Sequence, residues 1–441
     1  MYNYSFEPSL LQDFEGKYTS NKVFDEDKSF HDWYRFVLSF PPHLVRHYFD
    51  AFNLSEDAVV LDPFSGTGTT VLEAKLNGLT GIGVEANPAV FFASNVKLKW
   101  DIDPVAFEKD AVSIADETNK KLKIQGIDDN LTSLDEVDLL KLKDITPEKK
   151  KLLLRNSVSP LPFHKALTLL EFIKKSKSIY QDHLLLAFIT SLVKDVSNLR
   201  FGPEIGVGKI KDNAPVINPW LEMIRAMSHD IGVNLPSKIG SGTIKLGDAR
   251  EIHKVIKRES VDAVITSPPY PNEKDYSRTT RLENVILGLV KDKMHLRSIK
   301  KTFVRSNTRG IYKEDNDDKW IQDNATINLI AEKIEARRIA LNKTSGFERL
   351  YGRVTKQYFG GMARHLENMK FVLKPGAQLA YVVGDQASYL RILIRTGQIL
   401  SEIAKNQGYE VMGVDLFRTR FATKTKEELR EEVVLLKYKG K

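Results

Sequence analysis

The chain has 441 residues, of which 42% are hydrophobic, enough for roughly two or three domain-sized units around a large core. Its 66 Lys and Arg against 58 Asp and Glu leave a formal charge of +8, which suits a polyanionic partner or simply a basic protein. The absence of cysteine excludes disulfides and thiolate metal sites. No apolar run is long enough to cross a bilayer and the N-terminus lacks a signal-peptide pattern, so we expect a cytoplasmic protein without membrane contact.

The N-terminal part of the chain predicts an arm followed by a helix. Residues 1–30 are polar and irregular in pattern, and we expect them to lie over the surface. An aromatic stretch over residues 33–42 follows. Pro42 favours the start of a helix that continues through Ala51. The residues expected on its buried side are Leu44, Val45, Tyr48 and Phe49.

A strand, a glycine turn and a helix are predicted next. Residues 58–61 form a short apolar run, and the turn DPFSGTGTT at residues 62–70 leads into a helical pattern. Its glycines, Gly66 and Gly68, let the backbone turn tightly and approach a ligand closely. The turn lacks the lysine of a Walker loop and the third glycine of the full dinucleotide fingerprint.

A second strand is predicted over residues 81–84, and it ends in Glu85. An acid at this position can accept hydrogen bonds from a ribose diol, although an exposed loop carboxylate is the alternative. The glycine turn and the acid together favour a nucleoside cofactor that has no pyrophosphate.

Residues 100–240 are predicted to be mostly helical. Apolar residues recur at helical spacing, for example at Phe163, Leu167, Leu170 and Ile173. The glycine-rich stretch at 201–209 is a loop that either contacts DNA, covers the cofactor or only connects two elements.

A stiff loop follows the next predicted strand. Residues 261–265 are apolar and β-branched, as in a buried parallel strand, and the sequence TSPPY at 266–270 ends it. The two prolines cannot donate backbone hydrogen bonds, and they restrict the chain before them. Such a loop at the carboxyl end of a strand lies where open α/β sheets bind ligands. The Ser267 hydroxyl, a backbone carbonyl and the Tyr270 ring would suit a flat ring with an exocyclic amine; a simple turn is the alternative.

A basic segment lies in the region after this loop. Residues 291–310 hold seven Lys or Arg against one Asp, a density that suits phosphate contacts or a solvated face. The candidate DNA-binding residues are Lys300, Lys301, Arg305 and Arg309.

The C-terminal part predicts a turn, a strand, a helix and a hairpin. The turn is expected at 373–376, the strand at 377–383 and the helix at 392–405. The hairpin strands are expected at 409–417 and 432–438, with residues 418–420 between them.

The two motifs, DPFSGTGTT and TSPPY, together resemble those of the DNA amino-methyltransferases. Enzymes of this family transfer a methyl group from S-adenosylmethionine to the exocyclic nitrogen of cytosine or adenine. The resemblance implies an α/β fold, a doubly wound Rossmann-like methyltransferase sheet with an antiparallel C-terminal hairpin edge. The usual third cofactor strand follows the second closely, but here residues 100–240 intervene. We therefore predict a discontinuous catalytic domain, 1–99 and 241–441, with a helical insertion at 100–240 and a second insertion at 273–350, which is a candidate DNA-contacting region.

The resemblance also implies roles for individual residues. The implied cofactor-binding residues are Phe40, Asp62, Phe64, Gly66, Gly68, Thr69, Thr70, Glu85, Asp248 and Ala249. Asp248 would meet the adenine amine, with a helix N-cap as its alternative. The implied catalytic residues are Ser267, Pro268, Pro269 and Tyr270. Ser267 and the Pro268 carbonyl would orient the target amine, and Tyr270 would stack on a base flipped out of the duplex. No metal is expected.

The serine of SPPY resembles the cytosine-N4 branch of the family, whereas adenine-N6 enzymes usually carry Asp or Asn there. We expect double-stranded DNA as the substrate, and a separate restriction endonuclease is a candidate partner. The alternatives are an adenine-N6 enzyme, an RNA guanine-N2 methyltransferase and an inactive DNA-binding subunit.

Overall fold

The structure, a computed structural model, describes residues 6–35, 40–130, 137–202, 204–271, 275–422 and 427–440. The described strands are, in chain order, β1 Leu10–Asp13, β2 Val59–Asp62, β3 Thr80–Glu85, β4 Leu199–Arg200, β5 Gly206–Val207, β6 Ser241–Leu246, β7 Val261–Thr266, β8 Leu373–Gly384, β9 Glu410–Ala422 and β10 Glu427–Lys437.

The described helices are, in chain order, α1 Pro42–Ala51, α2 Thr69–Leu76, α3 Pro88–Lys97, α4 Pro104–Ile124, α5 Pro147–Lys150, α6 Pro160–Lys175, α7 Gln181–Ser191, α8 Ile217–Val233, α9 Tyr276–Thr279, α10 Arg281–Ile286, α11 Lys293–Lys301, α12 Ala325–Ala340, α13 Tyr351–Met369 and α14 Thr396–Asn406. None of these is both long and apolar enough to cross a membrane.

One mixed sheet organises the molecule, with the strand order β1–β9–β10–β8–β7–β2–β3–β6. The five strands from β6 to β8 are parallel, and β10 lies antiparallel to both β8 and β9. The order reverses between β2 and β7, because β2 leads to β3 and β6 on one side and β7 leads to β8 on the other. Open α/β sheets bind their ligands at such a switch point. The predicted α/β, doubly wound fold is confirmed.

The central strands are buried on both faces, which explains their nearly continuous apolar sequences. Alternate residues point to opposite faces of the sheet. Val264 and Leu61 pack in the core under α12, α13 and α14. Val60 and Ile265 pack in the core under α1. The helix predicted over Pro42–Ala51 is confirmed with its apolar side inward.

The edge of the sheet differs from the prediction in two ways. The expected surface arm contributes β1, which pairs in parallel with β9 and covers the outer side of the hairpin. Residues 418–420 do not separate the hairpin strands but belong to β9, where Arg418 pairs with Glu431 and Arg420 with Leu429. The connection at 423–426 lies outside the described residues.

Two other C-terminal predictions were wrong at their boundaries. The turn expected at 373–376 is the first part of β8, and Gly376 there adopts a left-handed φ of 88°. The helix expected from Ile392 begins at Thr396, because Ile394 instead pairs with Gln386 in an isolated bridge.

The segment 100–240 is mostly helical as predicted, and it holds α4 to α8. The glycine-rich stretch at 201–209, of which Pro203 lies outside the described residues, includes β5, which pairs antiparallel with β4 just before the stretch. Apolar residues of these helices share one core with Val71 of α2 and Ala93 of α3. The division of the chain at residues 99/100 and 240/241 stays a prediction.

The second insertion docks closely on α13. Gly360 of α13 faces the backbone at Asp317, the first residue of a 3-10 helix over Asp317–Ile321. A Cβ at position 360 would lie 2.1 Å from the Asp317 carbonyl oxygen, so this contact requires glycine. At the neighbouring Gly361, the nearest atoms to such a Cβ are 3.5 Å away, an ordinary contact distance.

This difference gives a matched pair of variants. Gly360→Ala should destabilise the protein by about 1–3 kcal/mol, because backbone must move to admit the methyl group. Gly361→Ala should be neutral or stabilise by up to about 1 kcal/mol, because alanine favours the helix. Urea unfolding of both variants measures the two effects. Equal stabilities for the two variants would contradict the close docking of the insertion on α13.

Candidate active site

One pocket lies at the carboxyl ends of β2, β3 and β7, beside the switch point of the sheet. Its wall includes eight of the residues singled out from the sequence as cofactor-binding or catalytic: Phe40, Phe64, Gly66, Thr69, Glu85, Ala249, Ser267 and Pro269. Residues 302–307 of the second insertion close another side of it. The structure therefore brings the glycine turn and the SPPY loop, about 200 residues apart in sequence, to one cavity.

The glycine turn is fixed by backbone conformation. Gly66 and Gly68 have φ values of 49° and 83°, in the left-handed region that favours glycine. The Ser65 amide donates to the Val84 carbonyl at 3.0 Å, which holds the turn beside β3. A Cβ at Gly68 would also lie 3.2 Å from the Ser94 Cβ, so α3 packs directly against the turn.

Glu85 joins the turn to the end of β3. Its Oε2 accepts the Gly66 N–H at 2.9 Å, and its Oε1 accepts the Asn87 N–H at 2.7 Å. Burial raises the pKa of this carboxyl to about 7, against the opposing effect of the two N–H donors. Each carboxylate oxygen has two acceptor sites, so the group retains acceptor capacity in the pocket wall.

Asp62 and Thr266 connect the two motifs beneath the pocket. The fully buried Asp62 accepts the Thr266 hydroxyl at 2.6 Å and the Phe64 N–H at 3.0 Å. Burial raises the pKa of Asp62 to about 6. The Thr70 hydroxyl donates to the Ile265 carbonyl at 3.0 Å. Asp62 and Thr70 are not part of the pocket wall, so their contacts position the loops that form it.

The SPPY loop presents its serine to the pocket. The Ser267 hydroxyl donates to the Val382 carbonyl of β8 at 3.3 Å, which leaves its oxygen lone pairs available as acceptors. Pro268 is buried behind it. The Tyr270 ring lies against Gly384, where a Cβ would come within 2.7 Å of the ring Cε2. Glycine at the end of β8 thus allows the ring to pack on the backbone.

Asp248, the predicted adenine contact, caps a helix and pairs with a neighbouring arginine. It caps the 3-10 helix over Ala249–Lys254, and its oxygens accept the Arg250 side chain at 3.0 Å (Nε to Oδ1) and 2.7 Å (Nη2 to Oδ2). The N-cap alternative is the one observed. Gly247 and Ala249, on either side of it, line the pocket, whereas Asp248 does not.

Arg305, one of the predicted DNA-binding residues, is buried and bonded within the second insertion. It is 3% exposed, and its guanidinium contacts the two Asp315 oxygens at 2.8 and 2.7 Å and the Lys300 carbonyl at 3.0 Å. These bonds hold the loop that closes the pocket.

The other three basic candidates differ in exposure. Lys300 lines the pocket and donates to Asp275 at 3.0 Å, and Arg309 pairs with Glu204 of the glycine-rich loop at 3.0 Å. Lys301 is exposed and makes no ion pair with any described residue.

The sequence reasoning missed several residues of the site. Asn87 lines the pocket and caps α3, with Pro88 at the first helical position, a start signal that could have located it. Asp275, Tyr276 and Phe303 also line the pocket, but no motif marks them. No group of three or more acidic, His or Cys side chains in the described ranges could hold a metal ion.

Comparisons with known proteins show which proteins this chain resembles. A family model of N6 and N4 methyltransferases, described as DNA methylase, matches residues 12–95, which include the glycine turn and Glu85. The type II methyltransferase M.BsoBI of Geobacillus stearothermophilus is 24% identical over 454 aligned positions, 91% of this chain and 82% of that protein.

Two further relatives match shorter parts. The type II methyltransferase M.AvaI of Nostoc sp. (strain PCC 7120 / SAG 25.82 / UTEX 2576) is 28% identical over 215 positions, 46% of this chain and 43% of that protein. The type II methyltransferase M.MjaII of Methanocaldococcus jannaschii is 26% identical over 137 positions, 30% of this chain and 25% of that protein. Both motifs in one pocket, a matching family model and a relative aligned over most of its length support a DNA amino-methyltransferase of the N4/N6 type.

Proposed function

We propose that this protein is a type II DNA methyltransferase that transfers a methyl group from S-adenosylmethionine to N4 of a cytosine flipped out of the duplex. The observation that carries the proposal is the shared pocket of Glu85 and Ser267, with the glycine turn in the same wall. The serine form of SPPY favours cytosine over adenine. The type II names of the relatives support a restriction–modification role, in which a separate endonuclease would be the partner.

The residues of the pocket fit the cofactor that the family implies. Gly66 and Gly68 give a turn without side chains, Glu85 offers carboxylate oxygens for a ribose diol, and Phe40 and Val90 offer apolar contact. When bound, S-adenosylmethionine supplies an electrophilic methyl group. The predicted cofactor residues Phe64, Thr69 and Ala249 would line its site, while Asp62, Gly68 and Thr70 would shape the turn beneath it.

Ser267 would orient the target amine. The lone pair of this amine is delocalised into the base ring, so the amine is a poor nucleophile. Ser267 Oγ already donates its hydrogen to Val382, and it can accept one from the amine while the Pro268 carbonyl accepts the other. Accepting both hydrogens would move the lone pair out of conjugation. Holding the amine in line with the methyl group can be worth on the order of 7 kcal/mol or more.

Tyr270 would receive the flipped base. Its ring is supported on one side by the Gly384 backbone, which fixes the ring for stacking against a base. Pro269, in the pocket wall beside it, would keep the loop rigid.

The exposed side of α11 would contact phosphates. Lys293 and Lys301 are exposed on this helix, and Lys291 is exposed just before it. The helix ends where the pocket wall begins at Lys300, so DNA bound along it would bring a flipped base near Ser267.

The first prediction of this proposal concerns the cofactor. Glu85→Ala should weaken S-adenosylmethionine binding by about 1.5–3 kcal/mol, since hydrogen bonds to an ionised acceptor are removed. The pKa of Glu85 is raised to about 7, and the diol binds best to the ionised form. The wild-type affinity should therefore fall as the pH drops below 7, by at most about tenfold per unit. Isothermal calorimetry from pH 5.5 to 8.5 measures both effects. An alanine variant with wild-type affinity or the same pH dependence would remove Glu85 from the site.

The second prediction concerns the reaction, and it is the test of the proposed function. The product should be N4-methylcytosine, identified by mass spectrometry of digested DNA and located by methylome sequencing of a host that expresses the protein. Ser267→Ala should lower the single-turnover rate with nearly unchanged DNA affinity, because only the orientation of the amine is disturbed. N6-methyladenine as the sole product would contradict the cytosine assignment. No methylated base with cofactor bound would favour an inactive subunit.

Variants of Tyr270 provide the controls for this reaction. Tyr270→Phe should keep most activity, and Tyr270→Ala should lose stacking worth about 1–3 kcal/mol with cofactor affinity unchanged. Gly384→Ala should resemble Tyr270→Ala, because its methyl group would displace the ring, which lies 2.7 Å away.

The third prediction concerns DNA binding. Replacing Lys291, Lys293 and Lys301 by Ala should flatten the dependence of log affinity on log salt, by about 0.9 for each phosphate that is no longer neutralised. A matched control replaces three exposed lysines of α4, Lys120, Lys121 and Lys123, and should leave the slope unchanged. Fluorescence anisotropy at several salt concentrations measures the slopes. A flatter slope only in the control would move the DNA-binding surface to the helical segment.

A further inference from the structure

Two adjacent residues of α10, Glu283 and Asn284, are buried although neither lines the pocket. α9 and α10 continue the chain that leaves the SPPY loop, and Asp275 and Tyr276 at the start of α9 do line the pocket. Burying a polar side chain costs free energy unless it is hydrogen-bonded, so the partners of these residues indicate what they hold in place.

Asn284 holds Asn87. Its Nδ2 donates to the Asn87 Oδ1 at 2.9 Å, and its Oδ1 accepts the Ala89 N–H at 3.2 Å. The Asn87 Nδ2 in turn donates to the Thr280 hydroxyl at 2.7 Å. Both polar atoms of the Asn87 side chain are therefore bonded to the α9–α10 segment.

Asn87 in turn positions Glu85, the residue proposed to accept hydrogen bonds from the ribose. Its backbone N–H donates to Glu85 Oε1 at 2.7 Å, and a second N–H, from Gly66, binds Oε2 at 2.9 Å. The orientation of the carboxylate thus depends on where Asn87 lies, and Asn284 and Thr280 set that position from outside the pocket.

Glu283 is connected to another wall of the same pocket through Tyr34 and Lys97. Its Oε1 accepts the Tyr34 hydroxyl at 3.0 Å. The Tyr34 carbonyl accepts Lys97 Nζ at 3.3 Å, and the same ammonium donates to the carbonyl of Thr67, in the glycine turn, at 3.0 Å. α10 is therefore connected to Glu85 through Asn87, and to the glycine turn through Tyr34 and Lys97.

We infer that Asn284 is a positioning residue for cofactor binding, which orients Glu85 through Asn87 and so links the segment after the target-base loop to the cofactor site. The inference rests on the proposed function in one respect, namely that Glu85 accepts hydrogen bonds from the ribose of the cofactor. It assigns a role to a residue that carries no family motif and does not touch the pocket.

A double-mutant cycle tests this link without measuring activity. The four proteins are the wild type, Asn284→Ala, Glu85→Ala and the double variant, and the ligand is S-adenosylhomocysteine titrated by calorimetry. Asn284→Ala should raise Kd about three- to tenfold in the wild-type background, as expected for removing one or two buried hydrogen bonds. In the Glu85→Ala background it should change Kd less than about twofold, because Asn284 then has no acceptor to orient.

Val285→Ala is the matched control, because Val285 is buried on the same helix but packs against Leu152 and Val290 instead of Asn87. It should change Kd less than about twofold in both backgrounds, and thermal unfolding would show its reduced stability. If Asn284→Ala does not fold, Thr280→Val removes the hydroxyl that Asn87 binds and should give the same non-additive pattern.

An unchanged Kd for Asn284→Ala, or an equal effect in both backgrounds, would overturn the inference while leaving the proposed function intact. A wild-type protein that does not bind S-adenosylhomocysteine would instead overturn the proposed function, and the positioning role with it.

Discussion

The hydrogen bond from the Thr266 hydroxyl to the buried Asp62 carboxylate, 2.6 Å long, is the interaction on which the rest of the site depends. It joins the carboxyl ends of β2 and β7, the two strands between which the sheet order reverses. The same Asp62 oxygen accepts the Phe64 N–H, and so one carboxylate sets the start of the glycine turn and the residue before Ser267. Burial raises the pKa of Asp62 to about 6, so its ionisation opposes folding. Protonated Asp62 contributes to the free energy of unfolding at low pH, and this contribution is lost as the pH rises through about 6.

The second insertion completes the pocket through a group of buried ion pairs. Arg250, just after β6, contacts Asp317 and donates to the Lys301 carbonyl at 2.6 Å. Arg305 binds Asp315, and Lys300 binds Asp275 at the pocket. Buried pairs of this kind fix conformation more than they add stability. They hold residues 302–307 in place as a wall opposite the glycine turn.

Sequence reasoning identified the parts of the site that depend on local backbone chemistry. The backbone preferences of Gly66, Gly68 and the prolines after Ser267 follow from the residue types alone, so the turn and the stiff loop could be predicted. The ionic partners of two other predicted residues, Asp248 and Arg305, carry no motif of their own, although both are close in sequence. Arg250 binds Asp248, and Asp315 binds Arg305. The wall formed by Phe303 and Asn307 and the contacts of Asn284 are long-range, and no periodicity or motif in one sequence indicates such pairs.

The central claim is that the glycine turn, Glu85 and the SPPY loop form one reaction pocket. A crystal structure of the protein with S-adenosylhomocysteine tests it most directly. We expect the ribose hydroxyls within hydrogen-bond distance of Glu85, and the sulfur on the side of the pocket that Ser267 lines. A ligand bound elsewhere, or bound with its sulfur facing away from Ser267, would contradict the account.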